Sequence, residues 1–338
     1  MAIAAQVDQG RGLEAILDLG GARVEGRLQT DVQFGADGDR GYRGPAFAAV
    51  LILACATSRP TRPFDGQAAY RAVEAQVAFG PRIPGTPGHA AQAAWLDSLL
   101  RPLADTLLVQ SWTHVTARGD SVPLRNFVAR FNPSAGERLL FLAHWDTRPR
   151  ADGPNSRDSS VAVPGANDGA SGTAVLLGVA AALRQAPPTV GVDLLFVDGE
   201  DYGVFDDKVD VLLGSKYYAD HPAPGAAPLY AVLFDMVGDS DLQIYQEGNS
   251  LTGAPEVVDL VWTVARKAGH GAVFIPTMRW TITDDHLSLQ ARGIRAIDVV
   301  DFDYPHWHTA EDTPDKVSAK SLQTVGEVAL ALVANTER

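Results

Sequence analysis

Cysteine is nearly absent: a single one, Cys55, occurs in 338 residues. No intrachain disulfide can form, and a cysteine-built metal site is excluded. Any metal must be held by His, Asp and Glu. Positive charge is also scarce, with 28 Lys and Arg against 41 Asp and Glu and a net charge of −13. That balance argues against a dedicated nucleic-acid binder, which needs a basic face to meet phosphates. No apolar run reaches the roughly 18–20 residues that cross a bilayer. Repeats and low-complexity tracts are lacking as well. What remains is an ordinary globular composition, 46% hydrophobic and 20% charged, which excludes a mostly disordered chain. The length suits one large α/β domain or two small ones.

The cysteine closes a distinctive stretch. Arg40 and Arg43 precede an uninterrupted apolar run over 46–54, and Cys55 follows it. A basic flank, a short apolar core and small residues at its end form the pattern of a secretory signal. Ile52-Leu53-Ala54-Cys55 is similar to a bacterial lipoprotein box with Cys55 as the lipidated residue. The alternative is a short buried helix or strand. Residues 1–39 do not fit in front of a signal, and the only later methionines are Met236 and Met278. The expected organisation is a leader over 1–55, a tether over 56–66 and a single catalytic domain over 67–338. The protein is expected to be exported, periplasmic or attached to the outer membrane through a lipid on Cys55.

The body alternates strand and helix patterns. Short apolar runs at 139–143, 192–197, 229–234, 272–275 and 295–300 read as strands, the longer ones buried on both faces. Helical spacing covers 67–79, 88–103, 171–184, 213–219, 256–268, 286–291 and 318–334. Pro187 and Pro188 stop the third of these helices, and Gly269 follows the fifth. The expected fold is α/β, a mostly parallel, mixed central sheet flanked by helices on both faces. Such sheets bind ligands outside the carboxyl ends of their strands.

Four apolar strands run directly into acidic or imidazole residues. Run 139–143 meets His144 and Asp146. Run 192–197 meets Asp198, Glu200 and Asp201. Run 229–234 meets Asp235. Run 295–300 leads through Asp301 and Asp303 to His306, Trp307 and His308. Two loops add Asp168 and the pair Asp284-Asp285, followed by His286. Converging carboxylates repel one another unless protonated or neutralised by a cation. Zinc accepts mixed imidazole and carboxylate ligands. Adjacent Glu200 and Asp201 cannot both face a metal from a regular strand, so one can ligate while the other serves as general acid and base. Taken singly these residues have blander readings. Asp168 precedes a helix and reads as a cap, His286 as a packing histidine, and the whole set as a solvated acidic rim.

The ordered motifs His144-Trp145-Asp146, Asn167-Asp168-Gly169-Ala170-Ser171-Gly172, Gly199-Glu200-Asp201, Asp235-Met236-Val237-Gly238, Thr283-Asp284-Asp285-His286 and Trp307-His308-Thr309 resemble the zinc aminopeptidase superfamily. They most resemble its glutaminyl cyclase (glutaminyl-peptide cyclotransferase) branch, particularly the bacterial members. The likeness runs from about Phe79 to the C-terminus, with support from 80–89 and 126–133. It implies zinc on Asp168, Asp201 and His308, with Glu200 as proton shuttle. It further implies that Asp235 and Asp285 form the acidic network behind it, and that Asp284 and Trp307 lie against the substrate. Asp201 stands where most animal cyclases use glutamate. Phe205 lies nearest to where they carry a further tryptophan.

Two chemistries share this frame. A cyclase converts the N-terminal glutamine of a peptide or protein to pyroglutamate with one zinc. An aminopeptidase hydrolyses the first peptide bond with two metals, the second held by His144 and Asp235 with Asp168 bridging. All five ligands are present for either. The Trp307-His308 pair, Asp284-Asp285-His286 and the 200–203 string favour the cyclase. A third expectation, a peptide-binding lipoprotein without chemistry, predicts the loss of a ligand or of Glu200, and none is lost. Strong net acidity would steer basic peptides to the enzyme.

Overall fold

A computed structural model describes residues 62–338 and, upstream, the strands β1 (Glu14–Leu19) and β2 (Ala22–Arg27), which pair antiparallel. The chain divides into the units Met1–Thr57 and Ser58–Arg338. The apolar run, Cys55 and tether residues 56–61 lie outside the described residues. Among the described residues, no helix is long and apolar enough to cross a membrane.

In the second unit, α1 (Gly66–Val77) and α2 (Pro87–Leu103) lead into β3 (Thr106–Val115), β4 (Ser121–Phe131) and β5 (Arg138–His144). Then come α3 (Ala170–Gln185), β6 (Gly191–Val197), α4 (Leu213–Asp220), β7 (Tyr230–Asp235) and β8 (Ile244–Glu247). The chain ends with α5 (Gly248–Gly253), α6 (Pro255–Lys267), β9 (Phe274–Trp280), α7 (His286–Gln290), β10 (Ala296–Val300) and α8 (Ala319–Thr336). The helix starts carry their chemistry locally: Asp65, Thr86 and Ser318 accept bonds from the amides of Ala68, His89 and Ser321.

Six strands form the central sheet in the order β10-β7-β5-β6-β4-β3. β10, β7, β5 and β6 are parallel, and the β3–β4 pair joins antiparallel at one edge. This is the mixed, mostly parallel sheet expected from the sequence. Every residue of β5 and β6 is buried, as sheets covered on both faces require. Leu139, Phe141 and Ala143 face the larger cluster with α1, α2, α3, α6 and α8, whereas Leu140 and Leu142 face the smaller one with α4 and α7. Long β3 and β4 occupy a stretch that hydropathy left unassigned. Pro123 within β4 and the half-buried, polar-rich face of β3 blur the alternation there. β8 pairs with β9 in a small separate sheet.

The end of the expected tether packs against the domain. Arg62 pairs with Glu337 at 2.7 Å and donates to the Ala186 carbonyl at 2.7 Å. Phe64 is buried in a notch between α3 and α8, where a Cβ at either Gly178 or Gly326 would strike its ring.

Helix α3 lies against the strands it crosses. A Cβ on Gly172 would run into the Phe234 carbonyl oxygen and come within 3.0 Å of Ala143 Cβ. Gly172→Ala is therefore expected to lower stability by about 1–3 kcal/mol, although alanine is the better helix former. Urea unfolding at constant m-value measures it; an unchanged or raised midpoint would contradict this packing.

Candidate metal and catalytic site

From β5 the chain crosses to β6 on one side and later to β7 on the other, so the strand order reverses beside the carboxyl end of β5. Open α/β sheets gather their ligands at such a point. His144 ends β5 and Asp235 ends β7. Glu200 and Asp201 follow β6 after Gly199, whose φ of 69° lets the chain turn out of the strand.

Two ligand-like clusters share Asp168. His144, Asp168 and Asp235 form one, and Asp168, Asp201 and His308 the other, with donor atoms within 4.8 Å of one another in each. His144 Nε2 lies 3.2 Å from Asp168 and 3.1 Å from Asp235. His308 Nε2 lies 3.5 Å from Asp168 and 3.3 Å from Asp201. Asp168 is not a cap: α3 begins after Gly169, without a side-chain capping bond. Asp168 Oδ2 and Asp201 Oδ2 are buried without a hydrogen-bond partner.

Surrounding residues hold these ligands in place. The Asp146 carboxylate accepts the Glu200 and Asp201 amides at 3.0 and 3.2 Å, and faces His144 Nδ1 at 3.6 Å. Asp312 accepts the Asn167 and Asp168 amides and the Tyr304 hydroxyl. Asn167 Oδ1 accepts the Gly238 amide, tying the loop before α3 to the turn after β7. Arg148 donates to both Asp152 oxygens at 2.8 Å and to Asp201 at 3.0 Å. Asp152 in turn lies 3.3 Å from His308 Nδ1, the arrangement by which a second carboxylate orients a ligating imidazole. Gly169, φ 94°, passes so close to Asp146 and His144 that a Cβ would meet both. Met236 at φ 47° and His308 at φ 52° adopt left-handed backbone without being glycine, a strain of about 1–3 kcal/mol each that functional sites often carry.

A pocket of about 190 Å³ opens onto this set. Its lining includes the carboxyl groups of Glu200, Asp284 and Asp235 and the rings of Phe205, Phe302 and Trp307. Trp307 stacks on His308 at 4.0 Å and packs on Phe302 at 4.9 Å. Burial raises the Glu200 pKa well above the carboxylate range; Asp284, Asp201 and Asp285 add to it, against His144. Burial likewise raises Asp284 and Asp235, with each other's charge or that of neighbouring carboxylates contributing. Asp285 does not line the pocket. Its carboxylate is buried below, pushed up to about 7 by burial.

Other acidic strand ends point elsewhere. Asp198 accepts from His89 at 2.8 Å and from the Arg125 amide. Asp301, Asp303 and His306 line a separate hollow with Asp239 and Asp241. His286 is fully buried, 3.4 Å from Glu247. Trp280 packs edge-on against Phe302, outside the pocket lining. Arg148, Asp152 and Asp312 escaped the sequence reading, since nothing in loop spacing marks them.

The residues fit a bound cation. Burial works against protonated His308, yet Asp201, Asp152 and Asp168 outweigh it and raise its pKa to about 9. Burial is outweighed at His144 as well, by Asp146, Asp168 and Asp235. Positive charge is thus drawn to the same two places where imidazole nitrogen and carboxylate oxygen meet, and two of the carboxylate oxygens are otherwise unpaired.

Residues 126–333 match Peptidase family M28. The chain is 35% identical to a solved glutaminyl cyclase of Bacteroides thetaiotaomicron, bound to N-acetylhistamine, with a TM-score of 0.77 over 82% of this chain and 99% of that one. It is 33% identical to a Zn-dependent exopeptidase of Parabacteroides distasonis, with a TM-score of 0.76 over 82% of this chain and all (100%) of that one. Aminopeptidase YwaD of Bacillus subtilis is 30% identical over 58% of this chain, which spans only 40% of that protein's length.

These pKa shifts set a pH dependence. Asp285 and Asp312 are raised from 3.8 to about 7, and His308 from 6.5 to about 9. A raised pKa means the folded state binds more protons than the unfolded one. Without metal, stability should therefore fall as pH rises, through about 4–7 for the acids and about 6.5–9 for His308. A bound cation displaces the proton of the ligand His308. Metal-stripped protein should lose Tm from about pH 5 to pH 8, and the gain on adding zinc should grow over that range. An equal gain at both ends would contradict it.

Proposed function

Because the chain belongs to peptidase family M28, we propose that it is a glutaminyl-peptide cyclotransferase that converts N-terminal glutamine of peptides or proteins to pyroglutamate and releases ammonia. The observation that carries this reading is the pocket of about 190 Å³ whose lining joins Glu200 and Asp284 to Phe205, Phe302 and Trp307. Pockets for drug-sized ligands measure roughly 300–1,000 Å³; this smaller space suits one residue. Likeness to a bacterial glutaminyl cyclase over nearly its whole length (99%) supports it.

Asp168, Asp201 and His308 would hold a zinc ion, which as a Lewis acid polarises the side-chain carboxamide carbonyl of the glutamine. Glu200 takes a proton from the α-amine as the amine nitrogen bonds to the carboxamide carbon. The carboxamide C–N bond then breaks, and Glu200 returns the proton to the departing ammonia. A carboxyl whose pKa burial has raised suits both halves of that transfer. Asp284 faces the same space and accepts a hydrogen bond from substrate N–H; Asp235 lines it too and pairs with His144. The Trp307 and Phe302 wall packs the substrate methylenes and folds amine onto carboxamide. Both reacting groups belong to one residue, so positioning supplies much of the acceleration.

The second cluster, His144 with Asp168 and Asp235, favours a second reading, a two-metal aminopeptidase in which Glu200 takes the proton from attacking water. Incubation of the zinc-supplied protein with a peptide beginning Gln-Ala separates the two by mass spectrometry. Ammonia loss from an intact chain, faster than without enzyme, is expected; release of free glutamine would replace the cyclase by the aminopeptidase. Glu200→Gln should lower kcat by about 100-fold or more while zinc content stays. An active, zinc-loaded variant would overturn the proton role.

On the leader pattern we also propose export as a lipoprotein anchored at Cys55. Metabolic labelling with a palmitate analogue should mark the protein and vanish in Cys55→Ser. Absence of label in the parent protein would remove the proposal.

A further inference from the structure

Beside the catalytic pocket lies a second hollow of about 370 Å³, bordered by α4 and α7. The two are contiguous in two ways. Thr283 lines both. One loop contributes Phe205 to the first and Lys208 to the second. Its apolar lining comes from Val211, Leu212, Ala219, Leu287 and Ala291, and its charged groups are Lys208, Lys216, Arg292 and Asp220. Arg292 and Asp220 are paired with each other.

The two lysines are not so matched. Among the described residues, no carboxylate lies within 4.0 Å of either ammonium; Lys216 donates to the Val211 carbonyl at 2.7 Å. Asp206 and Asp207 precede Lys208 on its loop but do not line the hollow. Burial holds Lys216 below its usual pKa; Asp285 and Asp210 oppose this, and repulsion from Lys208 adds to it. In a chain with a net charge of −13, the lining of this hollow carries three cationic side chains against one carboxylate.

We propose that this hollow is a substrate subsite that takes an aspartate or glutamate side chain from the residues following the N-terminal one. An extended peptide advances about 3.3 Å per residue. A chain whose first residue fills the catalytic pocket, and which leaves past Thr283, carries its next side chains over the lysines. The identity of the first residue rests on the cyclotransferase reading; the charge preference rests on the hollow itself.

The test compares C-terminally amidated Gln-Glu-Glu-Ala, Gln-Gln-Gln-Ala and Gln-Lys-Lys-Ala on the zinc-supplied protein. Partly exposed ion pairs are modest, so kcat/KM should favour the glutamate peptide over the glutamine peptide by about three- to tenfold. The difference should lie mainly in KM, and the lysine peptide should be poorest. Lys208→Glu combined with Lys216→Met should invert the order. Equilibrium binding of the same peptides to Glu200→Gln reads the subsite without turnover. Equal kcat/KM for the glutamate and glutamine peptides, or a preference that survives in the double variant, would overturn the proposal. If no pyroglutamate forms but Glu200→Gln still binds the glutamate peptide several-fold tighter, the reaction assignment fails and the subsite stands.

Discussion

The carboxylates of Asp168, Asp201 and Asp235 meet the imidazoles of His144 and His308 at the mostly buried base of a pocket, where little water screens them. Like charges so placed must bind protons or a cation. Much of the neighbouring structure answers that demand. Both histidines are drawn toward the charged form by the acids around them, and Arg148 reaches Asp201 from outside. A divalent cation satisfies the same requirement with one body in place of several protons.

Holding unlike loops at such a point costs backbone freedom, and the cost is met by specific bonds. Asp146 collects the amides after β6, and Asp312 collects those before α3. Each carboxylate therefore fixes a ligand through the backbone, not through the ligand side chain. Asn167 and Gly172 then clamp the start of α3 against the end of β7. Left-handed Met236 and His308 sit where the chain must turn sharply beside the ligands.

The parallel sheet supplies the place and the loops supply the chemistry. Glu200 and Asp201, neighbours in the chain, face different tasks because Gly199 ends the regular strand before them. Asp201 turns to His308, and Glu200 turns to the pocket. The aromatic wall of Phe302 and Trp307 comes from the loop that also brings His308, so substrate packing and ligand position are mechanically linked. The lysine-lined hollow beyond Thr283 extends that surface away from the reacting groups.

Much of this was legible in the sequence. Apolar runs ending in Asp, Glu or His marked the buried strands and their polar rim, because a strand covered on both faces carries few polar groups before it emerges; Asp193, held by Arg130 and Arg138, is an exception inside β6. The motifs around Asp168, Glu200, Asp201, Asp235 and His308 named the residues that the fold gathers. Most helices were readable from spacing because they bury one face; α3, buried nearly all round, was readable from its length and the prolines that stop it. The sequence could not tell which acids turn inward. Asp198 and Asp301 end the same kinds of strand yet bond to His89, Arg125 and Gln243 elsewhere. The resemblance placed Asp284 against the substrate and Asp285 behind it, and of the two only Asp284 lines the pocket. Arg148, Asp152 and Asp312 became visible only when folded, since irregular loops have no period that links position in the chain to direction in space. Strand order and loop path decided those contacts, because they bring together groups as far apart in the chain as Asp168 and Asp312.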